Sequence, residues 1–202
     1  MTFPLLSRRA LLMLAPAAGA AVALAGCDRP VSRPIFGDLR FTDRPPIRLD
    51  VAAIDVVHNF KPSFHEPFVE HLFPVPPERA AENWAHDRLQ AAGTTGRARV
   101  TIADASVREV PLKRTEGLRS AFTKDQTERY DATLEIGLDI LNDRGFPVRT
   151  ASARASHSRS VAEGITPNER EQVWYELTRE LISQIDQEME RQIRATFGTY
   201  LV

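Results

Sequence analysis

Few side chains in this 202-residue chain stand where they could do chemistry. There is one cysteine, Cys27, and five histidines, of which His58, His65 and His71 fall close together. With Glu66 and Glu70 between and beside them, three imidazoles and a carboxylate make up a donor set that zinc accepts. Their spacing is not that of a helical zinc motif, and Pro62, Pro67 and Pro74 forbid one regular helix through the stretch. Solvated histidines in an irregular segment are the plainer reading. His86 and His157 fall on a predicted helix and strand, as structural or solvated positions. No serine occupies a Gly-x-Ser-x-Gly elbow, and no glycine-rich phosphate loop precedes a helix. Gly93-Thr94-Thr95-Gly96 lies between helix and strand, the wrong order for a phosphate cradle. Acidic residues are spread over polar faces instead of paired in apolar surroundings, so nothing points to raised carboxylate pKa values. The expectation is a chain with no catalytic residues, no cofactor and no metal.

Composition narrows the class of protein further. Of 26 basic and 27 acidic residues, two arginines and no acid fall within residues 1–27, so the remainder is close to neutral. Such a balance argues against nucleic acid as the main partner. The apolar and charged fractions are ordinary for a globular protein, which argues against wholesale disorder. A single cysteine allows no disulfide within the chain.

The elements begin with an N-terminal segment that carries Arg8 and Arg9 and then an alanine-rich apolar run, Ala10–Ala23. It is too short and too weakly apolar for a comfortable transmembrane helix, but it fits the core of a signal peptide. The run ends in Leu24, Ala25, Gly26 and Cys27. This tetrad resembles the lipobox of bacterial lipoproteins, and the resemblance implies cleavage before Cys27 and lipidation, palmitate included, of its thiol and amine. Ser7-Arg8-Arg9-Ala10-Leu11-Leu12 also resembles a twin-arginine export signal; a general secretory signal with two arginines is the other reading. Anchoring would rest on the acyl chains at Cys27, since two or more hold stably where one does not. Asp28 tilts the expected address towards the inner membrane, by the rule enteric bacteria follow, with the outer membrane as the alternative; either way the domain faces the periplasm.

Residues 27–46 carry Pro30, Pro34, Pro45 and Pro46 with no helical or strand period, which predicts a semi-rigid tether. Docking of Ile35, Phe36, Leu39 and Phe41 on the domain is the other reading. From residue 47 to 202 the pattern predicts a single α+β domain of four mostly antiparallel strands, in β-α-β-β-β-α order, with two helices on one face. The first strand is Ile47–Val57, with a slip of parity at Ala52-Ala53 that reads as a bulge. The first helix is Pro77–Ala92, closed by Gly93. A second strand runs from Ala98 to Pro111. The third, Tyr130–Leu141, alternates cleanly between apolar and polar; a turn at Asn142–Gly145 returns it as Phe146–Val161, whose Ala151, Ala153 and Ala155 leave room for a helix. The last helix starts at a capping box, Thr166-Pro167-Asn168-Glu169, and carries the apolar stripe Trp174, Leu177, Leu181, Ile185 and Met189.

Lys113–Arg129 is longer than a hairpin needs. Leu118, Arg119 and Phe122 place two apolar anchors among basic residues, a candidate partner-binding arm; a solvated loop is the plainer reading. The element order behind the Cys27 anchor resembles that of small envelope lipoproteins: the auxiliary lipoproteins of ABC-type transport systems, and the lipoprotein that plugs the lipopolysaccharide assembly barrel. The resemblance covers about Ile47 to Phe197 by element order alone. It implies a non-catalytic accessory or assembly subunit of an envelope transport complex, held to the membrane by Cys27. The competing expectation is a periplasmic metal-binding protein or enzyme using His58, His65 and His71.

Overall fold

The computed structural model describes residues 34–112 and 126–202. Seven strands and two long helices follow in the order β1 (Ile47–Leu49), β2 (Ala53–His58), α1 (Pro77–Arg88), β3 (Leu89–Ala91), β4 (Arg97–Asp104), β5 (Val107–Pro111), β6 (Gln126–Leu141), β7 (Pro147–Ala162) and α2 (Pro167–Thr196). The class is α+β, as expected, but the sheet is not the mostly antiparallel four-stranded one. A mixed five-stranded sheet holds β2, β4, β5, β6 and β7, and a separate two-stranded parallel sheet pairs β1 with β3.

The parallel component has a simple origin. Between β2 and β4 the chain passes through α1, and a crossover of that length lets the second strand return alongside the first in the same direction. Accordingly Ala53 to His58 lie opposite Arg97 to Ile102 in parallel register. The other pairs are antiparallel. β7 covers one edge of β6 along its whole length, so β4 and β5 share the other edge end to end, opposite residues 135–141 and 128–132 respectively. The expected second strand is therefore two, broken at Ala105-Ser106. The parity slip at Ala52-Ala53 is likewise no bulge, because β1 and β2 belong to different sheets.

Gly93 also has a different role from the expected helix end. α1 stops at Arg88 and passes directly into β3. Gly93 instead lies where the chain crosses the β1–β2 connection, its amide donating to Val51 O at 3.0 Å. A Cβ there would stand 2.7 Å from Val51 N and Asp50 C.

One face of the large sheet carries the core. Ala98, Val100 and Ile102 of β4, Leu134, Ile136, Leu138 and Ile140 of β6, and Ala151, Ala153 and Ala155 of β7 are all buried on it. The three alanines leave space for α2 to lie close to β7, and Leu177, Leu181, Ile185, Met189 and Ile193 fill the interface at i, i+4 spacing. α1 buries Ala81, Trp84 and Ala85 on the same side. The start of α2 is set by the predicted box: Glu169 N donates to Thr166 Oγ1 at 3.3 Å, and Thr166 N to Glu169 Oε2 at 2.9 Å. The opposite sheet face is polar, with Arg97–Asp55, Arg129–Asp131 and Arg154–Glu135 ion pairs along it. Asn142 closes the β6–β7 turn, its side-chain oxygen accepting from the amides of Arg144 and Phe146.

The stretch expected as tether is part of this packing from its middle onward. Leu39 and Phe41 are 8% and 9% exposed and belong to the core. Residues 36–45 lie as a strap along the helices, so the folded unit begins well before Ile47.

Candidate functional site

The strap is fixed by contacts that follow α1 from its first turn to its last. Phe36 packs on Tyr175 of α2 with ring centroids 5.1 Å apart. Asp38 then accepts from Arg79 at 2.8 Å, Leu39 O from Asn83 at 3.3 Å, and Phe41 N donates to Asp87 at 2.9 Å. The strap closes at Pro45, whose carbonyl accepts from Arg88, and at Arg44, which pairs with Asp186. The strap therefore comes onto the domain at the end where α1 begins.

The same end holds the histidine-bearing segment. A short turn of 3-10 helix, Glu70–Leu72, precedes α1, and Phe68 bridges to Arg108 of β5 in antiparallel sense. Glu70 is buried; one of its carboxylate oxygens accepts from Val107 N at 3.2 Å and the other has no hydrogen-bond partner. Around this turn lies an open cleft of about 430 Å³, lined in part by Phe64, Glu66, Pro67, Leu72, Glu109 and Pro111. Phe64 has a left-handed backbone, φ 58°, which is strained for a bulky residue. The residue is 63% exposed and its ring lies 5.2 Å from that of His71; Leu72 is 54% exposed.

The three candidate metal ligands are not assembled. His58, at the end of β2, shares a 2.8 Å hydrogen bond with Glu78 in the first turn of α1, while His71 lies against Phe64. Among the described residues no group of three His, Cys, Asp or Glu side chains could hold a metal ion. The sequence left the histidines of this segment as solvated or, alternatively, metal-binding, and gave no signal for its apolar side chains. Phe64 and Leu72 sit in a proline-rich stretch without periodicity, where no pattern separates an exposed aromatic from a buried one.

The shifted titrations belong to structural pairs. The Arg40 guanidinium, helped by the amide of Phe41, holds Asp87 below the ordinary aspartate range against the opposing effect of burial. Arg129 does the same for Asp131, assisted by Ser158. Burial, followed by its hydrogen bond to Glu128, pushes the Tyr130 hydroxyl well up. Glu128 in turn pairs with Arg170 at 3.1 Å, joining β6 to the first turn of α2.

Other residues singled out in the sequence lie outside the described residues: Arg8, Arg9, Leu24, Ala25, Gly26 and Cys27, and Leu118, Arg119 and Phe122. Arg129, expected in the long loop, is instead in β6. No helix among the described residues is long and apolar enough to cross a membrane.

The architecture defines an α+β domain with two helices on one face of a mixed sheet and an N-terminal strap leading away from one end. No protein-family model and no curated protein matches the chain. Among solved structures, it is similar to a minor lipoprotein from Acinetobacter baumannii, at 15% identity and a TM-score of 0.41 over 73% of this chain and 93% of that one. A likeness of that degree identifies neither fold nor role.

Proposed function

We propose that the chain is a bacterial envelope lipoprotein, anchored through lipid on Cys27, that serves without catalysis as an accessory or assembly subunit of an envelope transport complex of the ABC or lipid-transport kind. The observation that carries the anchor is Leu24-Ala25-Gly26-Cys27, with the sole cysteine closing the apolar run that follows Arg8 and Arg9. The complex rests on the resemblance, read from the sequence alone, to the small envelope lipoproteins of transport systems. Export by the twin-arginine route, a periplasm-facing domain and residence in the inner membrane through Asp28 are parts of the same reading. Leu118, Arg119 and Phe122 are its candidate partner contacts.

Cells expressing the full chain with a clickable palmitate analogue test the anchor. The label should appear on the wild-type protein in the membrane fraction. Cys27→Ser should remove the label and leave a folded protein that no longer sediments with membranes once the signal has been cut. A signal-cleaved Cys27→Ser protein that remains membrane-bound overturns the anchor. Crosslinking in cells tests the complex: it should recover transporter or assembly subunits, less strongly from Leu118→Ala/Phe122→Ala, and recovery of no specific partner overturns that part.

A further inference from the structure

We infer that the cleft rimmed by Phe64 and Leu72 is a membrane-contact surface that rests in the interfacial layer of the bilayer holding Cys27. The inference rests on the lipid-anchor reading and adds to it the face of the domain that meets the membrane.

Three observations converge on one end of the molecule. The strap runs from the first turn of α1 towards the last, so its N-terminal end lies where α1 begins. Eight residues separate Cys27 from Phe36, and even fully extended the chain between the two spans no more than about 32 Å. Phe36 is held on Tyr175, and the adjacent Trp174 stacks on Phe73 at 5.0 Å. Phe73 follows Leu72 directly, so Phe36 and the cleft lie at one end of the domain.

The surface itself suits a bilayer. Phe64 and Leu72 present large apolar side chains to solvent. Glu66 and Glu109 are the acidic side chains of the lining, and the Arg108 guanidinium lies 5.7 Å from the ring of Phe68, which also lines it. Short apolar insertions bind a bilayer weakly alone, and the acyl chains supply the stable hold. A contact of this kind would fix the orientation of a domain that the lipid merely keeps nearby.

The test uses lipidated full-chain protein, purified from membranes and reconstituted into phosphatidylethanolamine–phosphatidylglycerol vesicles. Phe64→Trp and Leu72→Trp report on the cleft. Phe146→Trp, at the exposed β6–β7 turn on the far end of the sheet, is the control, over the background of buried Trp84 and Trp174. Difference emission for Phe64→Trp and Leu72→Trp should shift to the blue on reconstitution and fall at least twofold with brominated lipid, while Phe146→Trp stays unchanged. Palmitate-labelled protein whose Phe64→Trp and Leu72→Trp emission is unquenched overturns the docking and leaves the anchor standing. Shielding without bromolipid quenching assigns the cleft to a second copy or a protein partner and overturns it also. A Cys27 that carries no label overturns anchor and docking together.

Discussion

Arg88 donates from Nε to Asp186 Oδ1 at 2.6 Å, and both side chains are 1% exposed. Trp84 Nε1 donates to the same oxygen at 2.9 Å, and Arg44 reaches the other. Arg88 also donates to Pro45 O and to Glu190. One buried carboxylate thus ties the strap to both helices. Removing it would leave a guanidinium without its main counter-charge inside the core. Asp186→Ala should cost about 3–5 kcal/mol, read as a lower urea midpoint. Arg88→Met combined with Asp186→Leu should recover part of that loss, because neither charge of the pair then remains buried alone. Equal loss in the single and double variants would mean that packing, and not charge pairing, sets the cost.

The strap itself is open to a separate test. Phe41 is buried against the helices, so Phe41→Ala should lower stability by about 3 kcal/mol. Ile35→Ala, at a fully exposed position nearby, should leave the midpoint unchanged. An unchanged midpoint for Phe41→Ala would restore the reading of this stretch as a free tether.

Gly93 should not tolerate even a methyl group. Its Cβ would overlap Asp50 Oδ1, which can swing aside, and would stand 2.7 Å from Asp50 C and Val51 N, which cannot move independently of the β1–β2 connection. Gly93→Ala should cost roughly 1–3 kcal/mol by overcrowding. Gly137→Ala, on the polar face with nothing within 4 Å of its Cβ, should be neutral or stabilising. Thermal melts of the two variants give the comparison.

Acid should weaken the strap. Arg40 holds the folded-state pKa of Asp87 below its unfolded value. The stability this contributes is complete above the ordinary aspartate pKa of about 3.9 and is lost as pH falls through the lower folded value. Asp87→Asn should therefore be less stable than the parent at neutral pH, with the gap closing as pH drops below about 4. Urea midpoints for both proteins between neutrality and strong acid check the sign. A gap that widens in acid contradicts the depressed pKa.

Local chemistry made much of this fold legible. Alternation over Tyr130–Leu141, the Asn142–Gly145 turn, the capping box at Thr166 and the stripe from Trp174 to Met189 each depend on residues within a few positions of one another, and the structure has them all. What the sequence concealed was set by contacts between distant residues. Ile47–Val57 alternates well enough for one strand, yet β1 finds its partner in Leu89–Ala91 and β2 in Arg97–Ile102, two different sheets. The run to Pro111 breaks because β6 is long enough to take two strands on one edge. Leu39 and Phe41 lie among prolines, where no period marks burial, and are drawn into the core because Asp87 and Asp186 hold the strap on the helices.

The candidate site divides along the same line. By itself, the sequence determined the Leu24-Ala25-Gly26-Cys27 pattern and the lack of a local catalytic motif, because such signals are read from consecutive residues. Only the tertiary structure decided that His58 faces Glu78 instead of His65 and His71, and that Phe64 and Leu72 share an end with the start of the strap. Those relationships depend on where β2, the turn at Glu70–Leu72 and α1 converge, and residues that meet only through such convergence leave no periodic trace in the chain.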